Sequence, residues 1–156
     1  MPANPFMLEA FRLAEEGMNK NLGGPFGCVV VKDGSIIGQG NNRVTSSNDP
    51  TAHAEIVAMR EACRHLNHFQ LTDCEIYTSC EPCPMCLGAI YWARPARVYY
   101  ACTREDAARI DFDDRFIYDE LSLSLPERRM PLLPLMRNEG LIIFKAWEAK
   151  TDKIKY

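Results

Sequence analysis

The amino terminus lacks the features of an exported or membrane-inserted protein. Residues 1–20 contain no unbroken hydrophobic run, because acidic side chains interrupt the apolar ones. Such a segment differs from a secretory signal peptide and is too polar to span a membrane. The sequence therefore predicts a protein that stays in the cytoplasm.

The chain also lacks a surplus of basic residues. Its 18 Lys and Arg are outnumbered by 21 Asp and Glu, which gives a formal net charge of −3. Proteins that bind nucleic acid obtain much of their affinity from Lys and Arg that neutralise phosphates. The charge balance therefore argues, though weakly, against a nucleic-acid partner.

Internal repeats and low-complexity stretches are absent, and 47% hydrophobic with 25% charged residues is the composition of an ordinary globular protein. A chain of 156 residues is long enough for one well-packed domain and short for two. The seven cysteines form an odd set in a chain without an export signal. We therefore expect reduced thiols that are available to a metal rather than a disulfide framework.

Hydrophobic spacing predicts helices alternating with strands. An Asp-Gly turn between the first two strands predicts a hairpin, and a strand–helix–strand run later in the chain predicts a parallel crossover. We interpret residues 1–156 as a single domain of the α/β class, with a mixed sheet covered on both faces in a three-layer α/β/α arrangement. The predicted strands cover residues 28–32, 36–40, 74–78 and 98–101. The predicted helices cover residues 5–22, 52–66, 82–93 and 140–155, with a helical bias over 103–122.

Two short runs, His53–Glu55 and Pro82–Cys86, carry metal-binding chemistry. Cys83 and Cys86 fall at the start of a predicted helix, where the helix dipole and unpaired N–H groups favour the thiolate form that binds metals. His53 on the neighbouring predicted helix completes three ligands. Three protein ligands leave a fourth tetrahedral position for water, which is typical of a catalytic zinc site. The sequence therefore predicts one zinc ion.

Glu55 follows the candidate ligand His53 by two residues. A carboxylate there can lie beside the metal without binding it, take a proton from water and later give one to a departing amine. We therefore predict that Glu55 is the catalytic general acid and base. His-x-Glu followed by Pro-Cys-x-x-Cys is a signature of zinc-dependent nucleobase deaminases.

Other interpretations of the cysteines remain open at this point. Cys80 with the three candidate ligands could make a four-ligand structural zinc site, and Cys83 with Cys86 could be a redox pair. Neither alternative explains Glu55, and we expect Cys80 to be packed at a strand end. The remaining cysteines are predicted to behave as small hydrophobic residues: Cys28, Cys63, Cys74 and Cys102. His65 and His68 are predicted to cap a helix or lie on the surface.

Three stretches carry a family resemblance: residues 23–27, 47–55 and 78–93. They resemble the cytidine deaminase-like superfamily and, within it, the zinc-dependent bacterial guanine deaminases, and the resemblance runs nearly end to end. It implies a five-stranded sheet and one zinc ion per subunit. It also implies a homodimer whose C-terminal segments are exchanged, so that each tail helps to close the partner's site.

The resemblance further implies the substrate-binding residues. Asn42 would hold a purine ring through its amide, Phe26 would pack against the base, and Ala54 would contact the substrate beside the zinc ligand. Asp114 would reach the amino and N–H edge of the base, and Tyr156 would lie over the neighbouring subunit's site. Chemistry favours Asp114, since a carboxylate accepts hydrogen bonds from the N–H groups that distinguish guanine from adenine.

Two of these residues also have simpler interpretations. The acidic loop that contains Asp111, Asp113 and Asp114 could be a solvated surface segment. Tyr156, the last residue, could belong to a frayed terminus.

The predicted reaction is hydrolytic deamination of guanine to xanthine and ammonia, a step of purine catabolism or salvage. Alternatives are a tRNA adenosine deaminase, a deaminase of another small base or nucleoside such as guanosine or cytosine, and a non-catalytic module with a closed zinc site. Acidic residues in the segment 104–120 argue against tRNA, whereas Arg128 and Arg129 favour it.

Overall fold

A computed structural model describes residues 3–156, which contain seven α-helices and four strands. The strands are β1 (Gly27–Lys32), β2 (Ser35–Asn41), β3 (Glu75–Cys80) and β4 (Arg97–Cys102). The helices are α1 (Pro5–Asn19), α2 (Val44–Ser47), α3 (Ala54–Leu66), α4 (Pro84–Ala93), α5 (Arg104–Ala108), α6 (Arg115–Ser122) and α7 (Arg137–Ala149), with a 3-10 turn at Leu125–Glu127. None of these helices is long and apolar enough to cross a membrane.

The sheet is mixed and has the strand order β2-β1-β3-β4. β1 pairs antiparallel with both β2 and β3, and β3 pairs parallel with β4. The predicted hairpin at Asp33-Gly34 is confirmed, with positive φ at both residues (49° and 75°), and so is the crossover through α4. Both central turn residues in the left-handed region suit the twist of a two-residue hairpin.

The five-stranded sheet implied by the resemblance is wrong for residues 3–156, which contain four strands in the sheet. The chain turns into helix directly after β4. The Thr103 hydroxyl accepts a hydrogen bond from the Asp106 N–H, and the Asp106 carboxylate accepts one from the Thr103 N–H. This capping box starts α5 directly after β4, and residues 103–156 contain helices, a 3-10 turn and loops but no strand.

Alternating residues of β1 enter two apolar clusters, one on each face of the sheet. Val29 and Val31 pack with Leu13 of α1, whereas Cys28 and Val30 pack with residues of α3 and α4. Successive side chains of a strand point to opposite faces, so β1 is buried on both. The predicted helix–sheet–helix layering is confirmed.

Glycines in β1 and β2, which have no side chain, allow the helices α1 and α3 to pack closely against the sheet. A Cβ at Gly40 in β2 would be 2.6 Å from the Ala54 oxygen and 2.8 Å from the Ala58 nitrogen, both in α3. A Cβ at Gly27 in β1 would overlap the Ala10 carbonyl oxygen in α1. Glycine therefore sets the close approach of sheet and helix that positions the start of α3.

Residues 115–156 form a second compact unit, distinct from the unit that ends at Asp114. It contains α6, the 3-10 turn and α7, and none of its residues is buried. Its exposed large apolar side chains include Phe116, Leu133, Leu135, Ile142, Ile143 and Phe144. Exposed apolar surface of this extent is typical of a segment that packs against another protein surface.

Candidate active site

Two helix amino termini bring together the three predicted zinc ligands. His53 is the N-cap residue of α3, Cys83 is the N-cap of α4, and Cys86 lies in the first turn of α4. The His53 Nδ1 atom is 3.5 Å from the Cys83 Sγ and 3.5 Å from the Cys86 Sγ. All three ligand atoms lie within 4.8 Å of one another.

The spacing of these atoms fits a tetrahedral zinc ion. With bonds of about 2.3 Å to sulfur and about 2.0 Å to nitrogen, tetrahedral geometry separates a sulfur ligand from a nitrogen ligand by about 3.5 Å. The measured separations match this value. One imidazole and two thiols are also a donor set that zinc prefers. The residues present therefore fit the metal that their sequence pattern predicts.

The pKa values of the two cysteine thiols are shifted in opposite directions. The Cys86 thiol donates a hydrogen bond to the Cys83 sulfur, which together with His53 lowers the pKa of Cys83 to about 4. The same bond to Cys83, followed by burial, raises the pKa of Cys86. Contact with the Cys83 sulfur also raises the pKa of His53. The cluster thus favours a thiolate at Cys83, the form that binds a metal.

Glu55 lies beside this cluster in the first turn of α3 and is 6% exposed. Burial raises the pKa of its carboxyl group, and Cys86 hydrogen-bonds to it. A carboxyl group with a raised pKa in a largely water-free position is suited to carry a proton during a reaction.

Cys80 is turned to a different partner. Its Sγ donates to the Thr103 carbonyl oxygen at 3.6 Å, and it is not part of the one His/Cys/Asp/Glu ligand cluster within residues 3–156. It is buried at the end of β3, as predicted. This placement does not support the four-ligand structural site.

Asp114 is the predicted substrate residue with an electrostatic link to the cluster. It is half-buried, and partial burial followed by the negative charge of Cys83 raises the pKa of its carboxyl group. Phe112, two residues earlier, contacts the Phe26 ring edge-on, with centroids 4.9 Å apart. The acidic loop is therefore anchored beside the Phe26 segment rather than fully solvated.

Asn42 is 6% exposed and tied to the same segment. Its backbone N–H donates to the Phe26 carbonyl oxygen at 3.1 Å, and its side-chain oxygen accepts from the Val44 N–H at 3.1 Å. Because the amide oxygen is engaged, the NH₂ group is the end of the side chain that can donate to a ligand.

Ala54 is fully buried next to His53. Tyr156 belongs to the second unit and is 70% exposed, so its role stays a prediction.

Glu81 is a contributor that sequence reasoning missed. Its backbone N–H donates to the Cys102 carbonyl oxygen at 2.8 Å, and its carboxylate accepts from the Arg104 N–H at 3.1 Å. It thereby connects the loop before Cys83 to the end of β4 and the start of α5. A charged residue between a strand end and a ligand loop was the available signal, but its partner was not visible in the sequence.

Comparison with known proteins agrees with this geometry. Residues 2–102 match the family model described as the cytidine and deoxycytidylate deaminase zinc-binding region. The chain is 55% identical over 151 residues to the guanine deaminase of Bacillus subtilis (strain 168), covering 97% of each chain. It superposes on an X-ray structure of guanine deaminase from Bacillus subtilis with a TM-score of 0.96 and 54% identity, covering 100% of this chain and 99% of that one.

A more distant relative is the tRNA-specific adenosine deaminase of Streptococcus pyogenes serotype M1. The two sequences are 40% identical over 115 residues, which cover 74% of this chain and 67% of that protein. The similarity is therefore lower and shorter than that to the Bacillus subtilis protein.

Proposed function

This chain belongs to the cytidine and deoxycytidylate deaminase zinc-binding family, and from that membership we propose that it converts guanine and water to xanthine and ammonia. It is a zinc-dependent deaminase, and the predicted substrate agrees with its similarity along almost the whole chain to a guanine deaminase. The observation that carries the proposal is a cluster of three ligand atoms with a buried carboxyl group beside it.

In the proposed mechanism His53, Cys83 and Cys86 hold the metal. A zinc ion held there would lower the pKa of a bound water to about 7 and so supply a nucleophile at neutral pH. Glu55 takes the proton released as water adds to guanine C2 and delivers it to N3. Glu55 then takes the proton of the new hydroxyl group on C2 and gives it to the amine, so that the bond from C2 to the amine nitrogen breaks, ammonia leaves and C2 becomes the carbonyl carbon of xanthine. Its burial supports this role, because bulk water does not compete for the proton.

Substrate recognition is assigned to four residues of the first unit. The Asp114 carboxylate accepts hydrogen bonds from the guanine N–H edge, which adenine lacks in that arrangement. The Asn42 NH₂ group donates to an acceptor on the ring, and Phe26 packs against the base. Ala54 borders the substrate from the start of α3. The negative charge of Cys83 raises the pKa of Asp114, which supports the placement of this substrate-binding residue close to the metal ligands.

We assign the chain a homodimeric state with exchanged C-terminal segments, in which Tyr156 helps to close the partner's site. The unburied apolar residues of the second unit support this assignment, since a partner would cover them. The same proposal retains a cytoplasmic location and a place in purine catabolism or salvage.

A tRNA substrate is the main rival, and two observations disfavour it. The similarity to tRNA deaminases covers less of the chain than that to the guanine deaminase. The segment around Asp114 also carries several acidic side chains, which repel a phosphate backbone: Glu105, Asp106, Asp111, Asp113 and Asp119.

The test is a substrate panel with the zinc-loaded protein. Ammonia release is measured from guanine, guanosine, cytosine and an aminotriazine, and inosine formation is measured in tRNA. We expect guanine to give the highest kcat/KM and chelation of zinc to abolish turnover. A higher kcat/KM for tRNA or for cytosine than for guanine would show that guanine is not the preferred substrate. Turnover that persists after complete zinc removal would refute the metal's role.

A further inference from the structure

Two thiols outside the zinc cluster end neighbouring strands. Cys80 is the last residue of β3, Cys102 is the last residue of β4, and they are directly paired in the parallel register. Residues paired in this way project from the same face of the sheet, and neighbouring strands lie about 4.8 Å apart. Disulfides form between Cα atoms about 4.4 to 6.8 Å apart. The strand pairing therefore places the two Cα atoms within the range that a disulfide spans.

The two thiols differ in accessibility. Cys102 is exposed, whereas Cys80 is buried and donates to the carbonyl oxygen of Thr103, the residue that follows Cys102. Burial, followed by the nearby charge of Cys102, raises the pKa of Cys80 to about 12. An exposed thiol beside a buried partner is the arrangement in which the first reacts with an oxidant and the second resolves the product.

We propose that Cys80 and Cys102 are a site of reversible oxidation, at which a peroxide converts the thiol pair into a disulfide. The Cys102 sulfur attacks one oxygen of hydrogen peroxide, so that an S–O bond forms and the O–O bond breaks. The thiol proton joins the departing hydroxyl group as a first water, and Cys102 becomes a sulfenic acid. The Cys80 sulfur then attacks the Cys102 sulfur, and the S–O bond breaks. The thiol proton of Cys80 departs with the hydroxyl group as a second water. The thiols lose two electrons and the peroxide gains them.

The disulfide is coupled to the zinc site through a short loop. Cys80 precedes Cys83 by three residues, and Glu81 between them is bonded to the Cys102 carbonyl oxygen and to the Arg104 N–H. Bonding to the Cys102 sulfur draws the Cys80 side chain away from the Thr103 oxygen. Because the loop is short, this shift moves Cys83 relative to His53 and slows the reaction.

Mass spectrometry of the zinc-loaded protein tests the linkage. The protein is treated with hydrogen peroxide, its remaining thiols are alkylated, and it is digested without reductant. We expect a peptide pair joined through Cys80 and Cys102 that separates with dithiothreitol. The pair should be absent from Cys80→Ser and Cys102→Ser and present in the control Cys63→Ser. A Cys83–Cys86 disulfide with zinc loss, or Cys102 sulfinic acid without linkage, would overturn the proposal.

Turnover tests the coupling. The linked wild-type protein should deaminate guanine at least several-fold more slowly and recover with reductant, whereas Cys102→Ser should keep its rate under the same treatment. Unchanged turnover in fully linked protein overturns the coupling to Cys83. The disulfide is detected by mass spectrometry, which does not depend on activity. If the protein failed to deaminate guanine before oxidation, only the proposed function would be contradicted.

Discussion

Glu55 combines two properties that conflict in most side chains, because it can be charged and yet is almost completely buried. Replacing it with Gln keeps the side-chain volume and removes the carboxyl group that can take up and release a proton. We expect Glu55→Gln to bind zinc at wild-type stoichiometry while kcat for guanine falls by about 10²- to 10⁴-fold, the usual contribution of a general acid and base. Metal analysis and ammonia release measure the two quantities. A variant with near-normal kcat would remove Glu55 from the mechanism.

Asp114 offers a second test at the scale of one side chain, with its neighbour as a matched control. Asp114→Asn replaces an acceptor by a group that also presents N–H donors to the N–H edge of guanine. We expect kcat/KM to fall about 10- to 100-fold, since a hydrogen bond to a charged group contributes about 1.5–3 kcal/mol. The exposed neighbour in Asp113→Asn should leave kcat/KM close to wild type. Equal losses in both variants would indicate a general effect of loop charge.

Among the elements, α3 depends on its approach to β2 for its position. A methyl group at Gly40 would overlap the α3 backbone at Ala54 and Ala58 and push the start of the helix, with His53 and Glu55, away from the sheet. We expect Gly40→Ala to lower the free energy of unfolding by about 1–3 kcal/mol, as overpacking does, and to weaken zinc binding. Urea denaturation and competition with a zinc chelator measure these effects.

Gly88→Ala is the control for this element. Gly88 lies in α4, where an added Cβ meets nothing within 4 Å, and alanine favours helix over glycine by about 1 kcal/mol. We expect its stability to be unchanged or slightly higher and its zinc affinity to be wild-type. If Gly40→Ala behaved in the same way, α3 would not depend on the contact with β2.

The sequence predicted the elements around the site well, because their signals are local. Asn4 caps α1 through its side-chain oxygen, as predicted. His53 and Cys83 are the N-cap residues of α3 and α4, and each of these helices begins two residues after its predicted start. The four-residue helix α2 was missed because Val44–Ser47 has no periodic apolar pattern. The closing helix occupies 137–149 rather than 140–155, since exposed Gly140 is accommodated within its first turn.

The predictions that came from resemblance had mixed outcomes. Family membership, the zinc cofactor and guanine deamination are confirmed, whereas the prediction of a fifth strand is wrong for the part of the chain that the structure describes. Hydrophobic spacing alone predicts four strands and a helical bias after the last of them, as the structure has it, so the error came from the resemblance alone. The substrate roles of Asn42, Asp114 and Phe26 stay predictions, since recognition depends on long-range placement that no local pattern encodes.

For the molecule as a whole, the apolar surface of α7 makes the oligomeric state testable. Phe144 is 72% exposed, and a charge there would oppose burial at a subunit contact. We expect wild-type protein to scatter light as two chains and Phe144→Glu to shift to one chain with reduced turnover. Lys145→Glu places the same charge at an adjacent position that is already charged and should remain dimeric. Two chains in Phe144→Glu would exclude this face of α7 from the contact.

The strands β1 and β2 lie so close to the helices α1 and α3 that residues at these contacts should tolerate substitution less well than residues of exposed loops. Gly27 and Gly40 leave no space for a side chain, so random mutagenesis there should yield mainly inactive protein. The exposed residues of the segment 109–113 other than Phe112, whose ring contacts Phe26, have no comparable backbone contact. Directed evolution toward a different heterocycle should therefore concentrate its library on those residues and leave the two glycines unvaried.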